Sequence, residues 1–394
     1  MKILGIESSC DETAAAIVED GERLLSNVVH TQIDIHAQYG GVVPEVAARS
    51  HVEVVNPVIT KALEQANLTW NDIDAIAVTY APGLSGSLLI GALTAKTLAY
   101  LFDKPLYAIH HVEAHVYANF ITKQGVASSS NISTSQARSP QSDSADALGS
   151  LSTESRSLRS EKLPDSLKLT LPSKQPTFPL LALIVSGGHT QLVLFRDHGD
   201  YELLGHTQDD AVGEAFDKVA KIIGLPYPGG PSIAKAALHG DAHKFPLPKA
   251  KLKDPYNFSF SGLKTAVLRA VQHEVGVDFT FPSHELPARL DSATRNDFAA
   301  SFQRTAIETL VDKTKMAYDA YHPASVVIAG GVAANQELRR QLQERLPLDI
   351  EYAPMQLCTD NAAMIATLAY FQSQQQPPIS PFELDIQPSL SMVR

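Results

Sequence analysis

Three histidines fall within six residues, in the run HHVEAH from His110 to His115. His111 and His115 are four apart, which on a helix places both imidazoles on one face, about one turn from each other. That spacing suits two nitrogen ligands of one zinc or iron ion. An isolated pair at this spacing is more often a pair of solvated or hydrogen-bonded helix residues. Here the strand-like PLYAI just before it and the third imidazole of His110 favour the metal. Asp360, in LCTDNAAMIA, offers a carboxylate at a strand–helix junction, where it reads equally well as a ligand or as a plain helix N-cap. Cys358 reads as an inert packing thiol. The run also resembles a zinc-protease motif, but that motif needs glutamate directly after the first histidine, where this chain has Val112. Glu113 is two positions on, about 200° around the helix from the histidine face. Geometry disfavours peptide hydrolysis, which ranks third among the readings.

Anion-binding and acid–base candidates lie elsewhere. SGGHT (Ser186 to Thr190) and GGVAAN (Gly330 to Asn335) offer glycine turns whose N–H groups can approach a phosphate, the second at a helix start. YPGGP (Tyr227 to Pro231) reads as a third tight turn, against which a ribose or base packs. None is a P-loop, so a nucleotide is held in another manner. Asp217, on the helix DDAVGEAFDKVAK, is a candidate acceptor of ribose hydroxyls, or part of a solvated charged face with Glu214. Asp11 and Glu12, in the polar turn ESSCDET, are candidates for a general base, or simply polar turn residues.

The elements that must hold these residues repeat. Lys2 to Ile6, the ESSCDET turn and Ala14 to Glu19 read as a hairpin, and LALIV, SGGHT and QLVLF repeat that plan near Leu181. Each half later brings an apolar strand into a glycine-bearing turn and a helix, from Ala75 and from Ser325. This predicts an α/β protein of two similar domains, 1–122 and 178–394, facing across a cleft lined by strand-end turns, with the last helices able to pack back on the first domain. Between them serine crowds positions 128–160, and no aromatic residue occurs between Phe120 and Phe178. Residues 123–177 are therefore expected to be a disordered insert.

The net charge of −11 excludes bulk attraction of nucleic acid; any RNA contact must come from local clusters such as Arg339, Arg340 and Arg345 or Lys249, Lys251 and Lys253. The longest strongly apolar run, Phe178 to Val185, is too short to span a bilayer, and acidic residues arrive too early for a signal peptide. Two cysteines, Cys10 and Cys358, make no disulfide framework. A cytoplasmic protein without membrane contact is expected.

Nine stretches in one order, GIESSCDET, YGGVVPEVAARSH, APGLSGSLLIG, HHVEAH, LIVSGGHTQL, DDAVGEAFDKVAKIIGLPYPGGP, FSFSGLKTA, AGGVAANQELR and CTDNAAMIA, resemble the universal tRNA adenosine threonylcarbamoyltransferases, bacterial or organellar branch. The resemblance implies an actin-like, sugar-kinase-like fold of two ribonuclease-H-type domains. It implies one divalent metal, iron(II) or zinc, on His111, His115 and Asp360. It places the nucleotide intermediate at Ile184, Val185, Ser186, Gly187, Gly188, Asp217, Gly230 and Asn335. The implied reaction moves threonylcarbamoyl from threonylcarbamoyl-AMP to the exocyclic amine of the adenosine 3′ to the anticodon, in tRNAs reading codons that begin with A. Implied partners are tRNA and, in the bacterial branch, an inactive paralogue of similar fold and a small ATPase; the organellar branch acts alone as a homodimer. The competing class is an actin-like ATP-binding switch or chaperone-type ATPase, which would use magnesium on oxygens rather than imidazoles.

Overall fold

The computed structural model describes residues 1–125, 169–350 and 352–392. Its first sheet contains β1 (Lys2–Glu7), β2 (Glu12–Glu19), β3 (Arg23–Thr31), β4 (Ala75–Ala81), β5 (Leu106–His110) and the short β6 (Lys123–Gln124), in the order β5-β4-β1-β2-β3-β6. The second contains β7 (Leu180–Val185), β8 (Thr190–Asp197), β9 (Asp200–His206) and β10 (Ser325–Ala329), in the order β10-β7-β8-β9. In both, an antiparallel meander of three strands is followed by a fourth strand running parallel beside the first. This is the repeated plan that the two similar halves of the sequence predict.

Side-chain alternation explains how the first sheet is covered. Leu4, Ile6, Ala15, Ile17, Ile76 and Val78 form one apolar cluster, and Ile3, Ala14, Ala16, Ala75 and Ala77 belong to another. Successive residues of a strand point to opposite faces, so both faces of this sheet are buried. After the short α1 (Ile33–Ala37), α2 (Pro44–Ala66) and α3 (Ser85–Leu101) cover the first face. The other face takes α11 (Ala362–Ser373), a helix from the far end of the chain, while α4 (His111–Tyr117) touches both α11 and strands β7 and β10 of the second sheet. The second half is completed by α5 (Val212–Ile223), α6 (Gly229–Ala237), α7 (Ser261–Glu274), α8 (Ser292–Tyr321), α9 (Gln336–Arg345) and α10 (Met355–Cys358).

The close seating of α11 is permitted by Gly5. A Cβ there would lie 2.3 Å from the Ala362 carbonyl oxygen and 2.9 Å from the Ala366 nitrogen. At the edges of the expected insert, Lys123–Gln124 pairs with β3, and Leu169 and Leu171 pack on the core. Thr177 N donates to Ser325 Oγ at 2.9 Å. These end segments belong to the folded body, and the rest of the expected insert, 126–168, lies outside the described residues. Among the described residues no helix is long and apolar enough to cross a membrane.

Candidate metal centre and cleft

β5 ends at His110, and α4 begins at His111. His110 Nδ1 accepts from Glu113 N at 3.4 Å and so caps its own helix. His111 and His115 then project together, with ring centroids 4.7 Å apart. Asp360 arrives from the opposite end of the chain, and it is not the cap of α11: Asn361 Oδ1 takes that task by accepting from Met364 N at 3.1 Å. Because its neighbour caps the helix, the Asp360 carboxylate is available to the histidines. Its Oδ1 stands 3.5 Å from His111 Nε2 and 3.3 Å from His115 Nε2. Two donors bonded at about 2.1 Å to one tetrahedral ion lie roughly 3.4 Å apart, so the spacing fits a cation. The contact to His115 lacks the alignment of a hydrogen bond, and both ring nitrogens of this buried residue have no hydrogen-bond partner. Buried polar atoms are seldom left so, and an ion between the three residues would give Nε2 a partner.

Glu7, at the end of β1, holds His111 from behind: Oε2 is 3.0 Å from His111 Nδ1, and Ser9 Oγ lies 3.2 Å from the same nitrogen. Glu7 is wholly buried; burial pushes its pKa up, and the His111 imidazole outweighs this and holds it below the ordinary value. For His111 burial works downward, but the Glu7 and Asp360 carboxylates raise the pKa to about 9. Burial likewise opposes the ionisation of Asp360, and the imidazoles of His111 and His115 bring its pKa well below the carboxylate range. A proton on Nδ1, given to Glu7, leaves Nε2 with its lone pair toward Asp360 and His115, the arrangement metal-binding histidines adopt. Glu113 faces away, into a separate cavity with His110 and Tyr117, so it stands on the wrong side of α4 to serve a water near the histidines.

The turns of both halves meet here. The fields of His111, His115 and Asp360 reach His189 of the SGGHT hairpin turn; burial first, then those imidazoles, depress its pKa to about 3. Asp11 acts on Asp217 and Tyr227 of the second half. Burial is the main cause of a raised Asp217 pKa, and its Oδ1 accepts from Gly229 N at 2.6 Å. Tyr227 to Pro231 is not the expected tight turn: Pro228 precedes α6, whose first residues are Gly229 and Gly230. Gly229 is forced by contact, since a Cβ would sit 2.5 Å from Asp217 Cα, whereas Gly187, Gly188 and Gly230 face open space. Ile184 and Val185 are strand residues with wholly buried side chains, so only their backbone could meet a ligand. Ser186 Oγ accepts from His189 N at 3.1 Å and closes the hairpin turn. Asn335 Oδ1 caps α9 through Leu338 N at 3.1 Å, and its Nδ2 donates to Gln303 Oε1 at 3.0 Å. Glu12 is raised to about 10, chiefly by burial and then by Asp360 and Asp11.

The sequence model of the tRNA N6-adenosine threonylcarbamoyltransferases matches residues 23–130 and 166–367. The chain belongs to this family. The transferase of Thermomicrobium roseum is 47% identical over 95% of this chain and 93% of its own. That of Dehalococcoides mccartyi is 44% identical over 100% and 99%. Among solved structures, full-length HypF in its phosphate- and nucleotide-bound form aligns with 95% of this chain and 46% of its own, at 12% identity and a TM-score of 0.50. That likeness shows the actin-like, sugar-kinase-like fold alone. Within the family frame, Glu7, Ser9 and His189 were not singled out by sequence reasoning. Glu7 and Ser9 sit in the quoted GIESSCDET stretch, but nothing local ties them to a histidine more than 100 positions away.

Proposed function

We propose that the chain transfers threonylcarbamoyl from threonylcarbamoyl-AMP to the exocyclic amine of the adenosine 3′ to the tRNA anticodon, in the cytoplasm. The observation that carries this reading is the convergence of His111, His115 and Asp360 beside the turns of both halves, in a chain 47% identical to a relative of that name. His111, His115 and Asp360 would hold a divalent cation, iron(II) or zinc, which would supply positive charge and Lewis acidity toward a phosphate or carbonyl oxygen. The open approaches at Gly187, Gly188 and Gly230 admit the adenylate, and Asp217 offers its second oxygen to a ribose hydroxyl. The adenine nitrogen attacks the carbamoyl carbon, the bond to the phosphate oxygen breaks, AMP leaves, and the amine proton passes to a base.

A carboxyl at about 10 holds its proton at neutral pH, and burial, the largest cause, persists when a cation covers Asp360. That favours Asp11 over Glu12 as the base. Mass spectrometry of tRNA nucleosides after incubation with threonylcarbamoyl-AMP tests both claims. Wild type forms the modified adenosine and Glu12→Gln keeps a third or more of the rate, while Asp11→Asn loses about a hundredfold. A dead Glu12→Gln beside an active Asp11→Asn would reverse the assignment; no product with wild type and partners would end the reading.

The partners that the resemblance implies have a surface available to them. Val52 of α2 and Leu89, Leu93, Tyr100 and Leu101 of α3 are exposed on the outer face of the first domain. An apolar helical face of this kind suits a paralogue of similar fold packing as a pseudo-symmetric bundle, with the small ATPase joining that assembly.

A further inference from the structure

The turn between β1 and β2 carries Asp11, yet three successive backbone carbonyls of it are gripped from outside. Ser9 O accepts from Leu84 N at 2.8 Å, and Asp11 O accepts from Gln32 N at 3.0 Å. Between them Cys10 O accepts from two side chains, His51 Nε2 at 3.0 Å and Ser87 Oγ at 3.1 Å. We propose that His51 is a positioning residue for the transfer: with Ser87 it holds the Cys10 carbonyl and so fixes where the next residue, Asp11, presents its carboxyl to the cleft. This rests on the assignment of Asp11 as base.

The tautomer is determined by chemistry. A carbonyl can only accept, so the proton is on Nε2, and Nδ1 is left to accept from Thr13 Oγ1 at 2.7 Å. His51 is wholly buried, and burial depresses its pKa, which keeps the ring neutral as this arrangement needs. The imidazole thus bridges the last residue before Asp11 and the first after Glu12, clamping the two carboxyl-bearing positions from both sides. Misplacement of a reacting group by about 1 Å can cost a hundredfold in rate, so a loosened turn is felt in turnover before it is felt in folding.

Two substitutions separate positioning from mere packing. Glutamine places its amide nitrogen near the position of Nε2 and can still reach Cys10 O; asparagine keeps an acceptor for Thr13 but falls short of Cys10. His51→Asn is expected to lower kcat about tenfold, with KM for threonylcarbamoyl-AMP within about threefold, while His51→Gln restores kcat to within about threefold of wild type. Amide hydrogen exchange at residues 10–12 should quicken in His51→Asn and not in His51→Gln. Equal rates in the two variants, or faster exchange with undiminished kcat, overturn the proposal. If His51→Asn does not fold, Ser87→Ala removes one bond to the same carbonyl and should lower kcat several-fold; full kcat in it also overturns the proposal. Should wild type make no modified tRNA, the functional reading fails, and the exchange data still decide whether His51 holds the turn.

Discussion

At the scale of single residues, the centre depends on one buried carboxylate that touches no substrate. Glu7 Oε2, 3.0 Å from His111 Nδ1, sets which ring nitrogen carries the proton and which faces Asp360. Replacing it by glutamine leaves the shape and removes the charge. Partners behind a ligating histidine are worth about 10–100-fold in metal affinity, so Glu7→Gln should weaken zinc or iron(II) binding by that factor. The sign of the pH dependence follows from the same group. His111 is raised to about 9, and a cation needs its unprotonated ring, so below that pH each bound ion must displace a proton. Wild-type affinity should therefore rise with pH from 6 to about 9 and then level. In Glu7→Gln the main cause of the raised pKa is gone, and the plateau should begin at lower pH. Titration calorimetry across pH in both proteins measures this. A flat profile in wild type would mean that His111 does not bind the metal.

At the scale of elements, what brings Asp360 to the histidines is a helix packed on a strand more than 350 residues before it. Gly5 allows α11 to lie against β1 at a distance that a methyl group would close to 2.3 Å from the Ala362 carbonyl. Gly5→Ala must lift the start of α11, which directly follows Asp360 and its capping neighbour. Overpacking of this kind costs about 1–3 kcal/mol, so the melting temperature should fall and metal affinity with it. Gly262→Ala in α7 is the control, because a Cβ there meets nothing within 4 Å. Unchanged melting and metal affinity in Gly5→Ala would show that α11 does not depend on that contact. The same helix marks where sequence reading stops. The two hairpins and the parallel strands from Ala75 and Ser325 were legible, because apolar runs bounded by polar and glycine turns need only local information. The i, i+4 histidines were legible for the same reason. Asp360 could not be told from a cap until Asn361 was seen to accept from Met364 N. The first residues of α6 look like a turn in sequence because two glycines follow a proline. What fixes Gly229 is Asp217, twelve positions away, and neither its short N–H bond nor the close Cα is written in the local pattern.

At the scale of the whole molecule, an acidic chain has a polyanion as its proposed substrate. The clusters that could have offset a net charge of −11 are mostly spent within the protein. Arg339 turns inward, donating to Ala333 O at 2.6 Å and lying over the Tyr352 ring. Arg340 is bracketed by Glu337 and Glu344, each at 2.7 Å. Arg345 and Lys249 both bind Asp312, at 2.7 and 2.8 Å. Arg339 is thus held by carbonyls and a ring rather than by an ion pair, and of the six cations only Lys251 and Lys253, both exposed, show neither an ion pair nor a side-chain hydrogen bond among the described residues. Each phosphate neutralised contributes roughly 0.7–0.9 to the slope of log affinity against log salt. The isolated chain should therefore bind tRNA weakly, with a slope of magnitude no more than about 2. An assembly with the proposed paralogue and ATPase should bind more tightly and with a steeper slope, because the extra phosphate contacts then belong to the partners. A salt titration of tRNA affinity, run on the chain alone and on the reconstituted complex, measures both quantities. Submicromolar binding by the chain alone at physiological salt, with a steep slope, would show that the paired arginines open to phosphate. The surface ion pairs would then be a resting arrangement that tRNA displaces, at the small cost that exposed pairs carry.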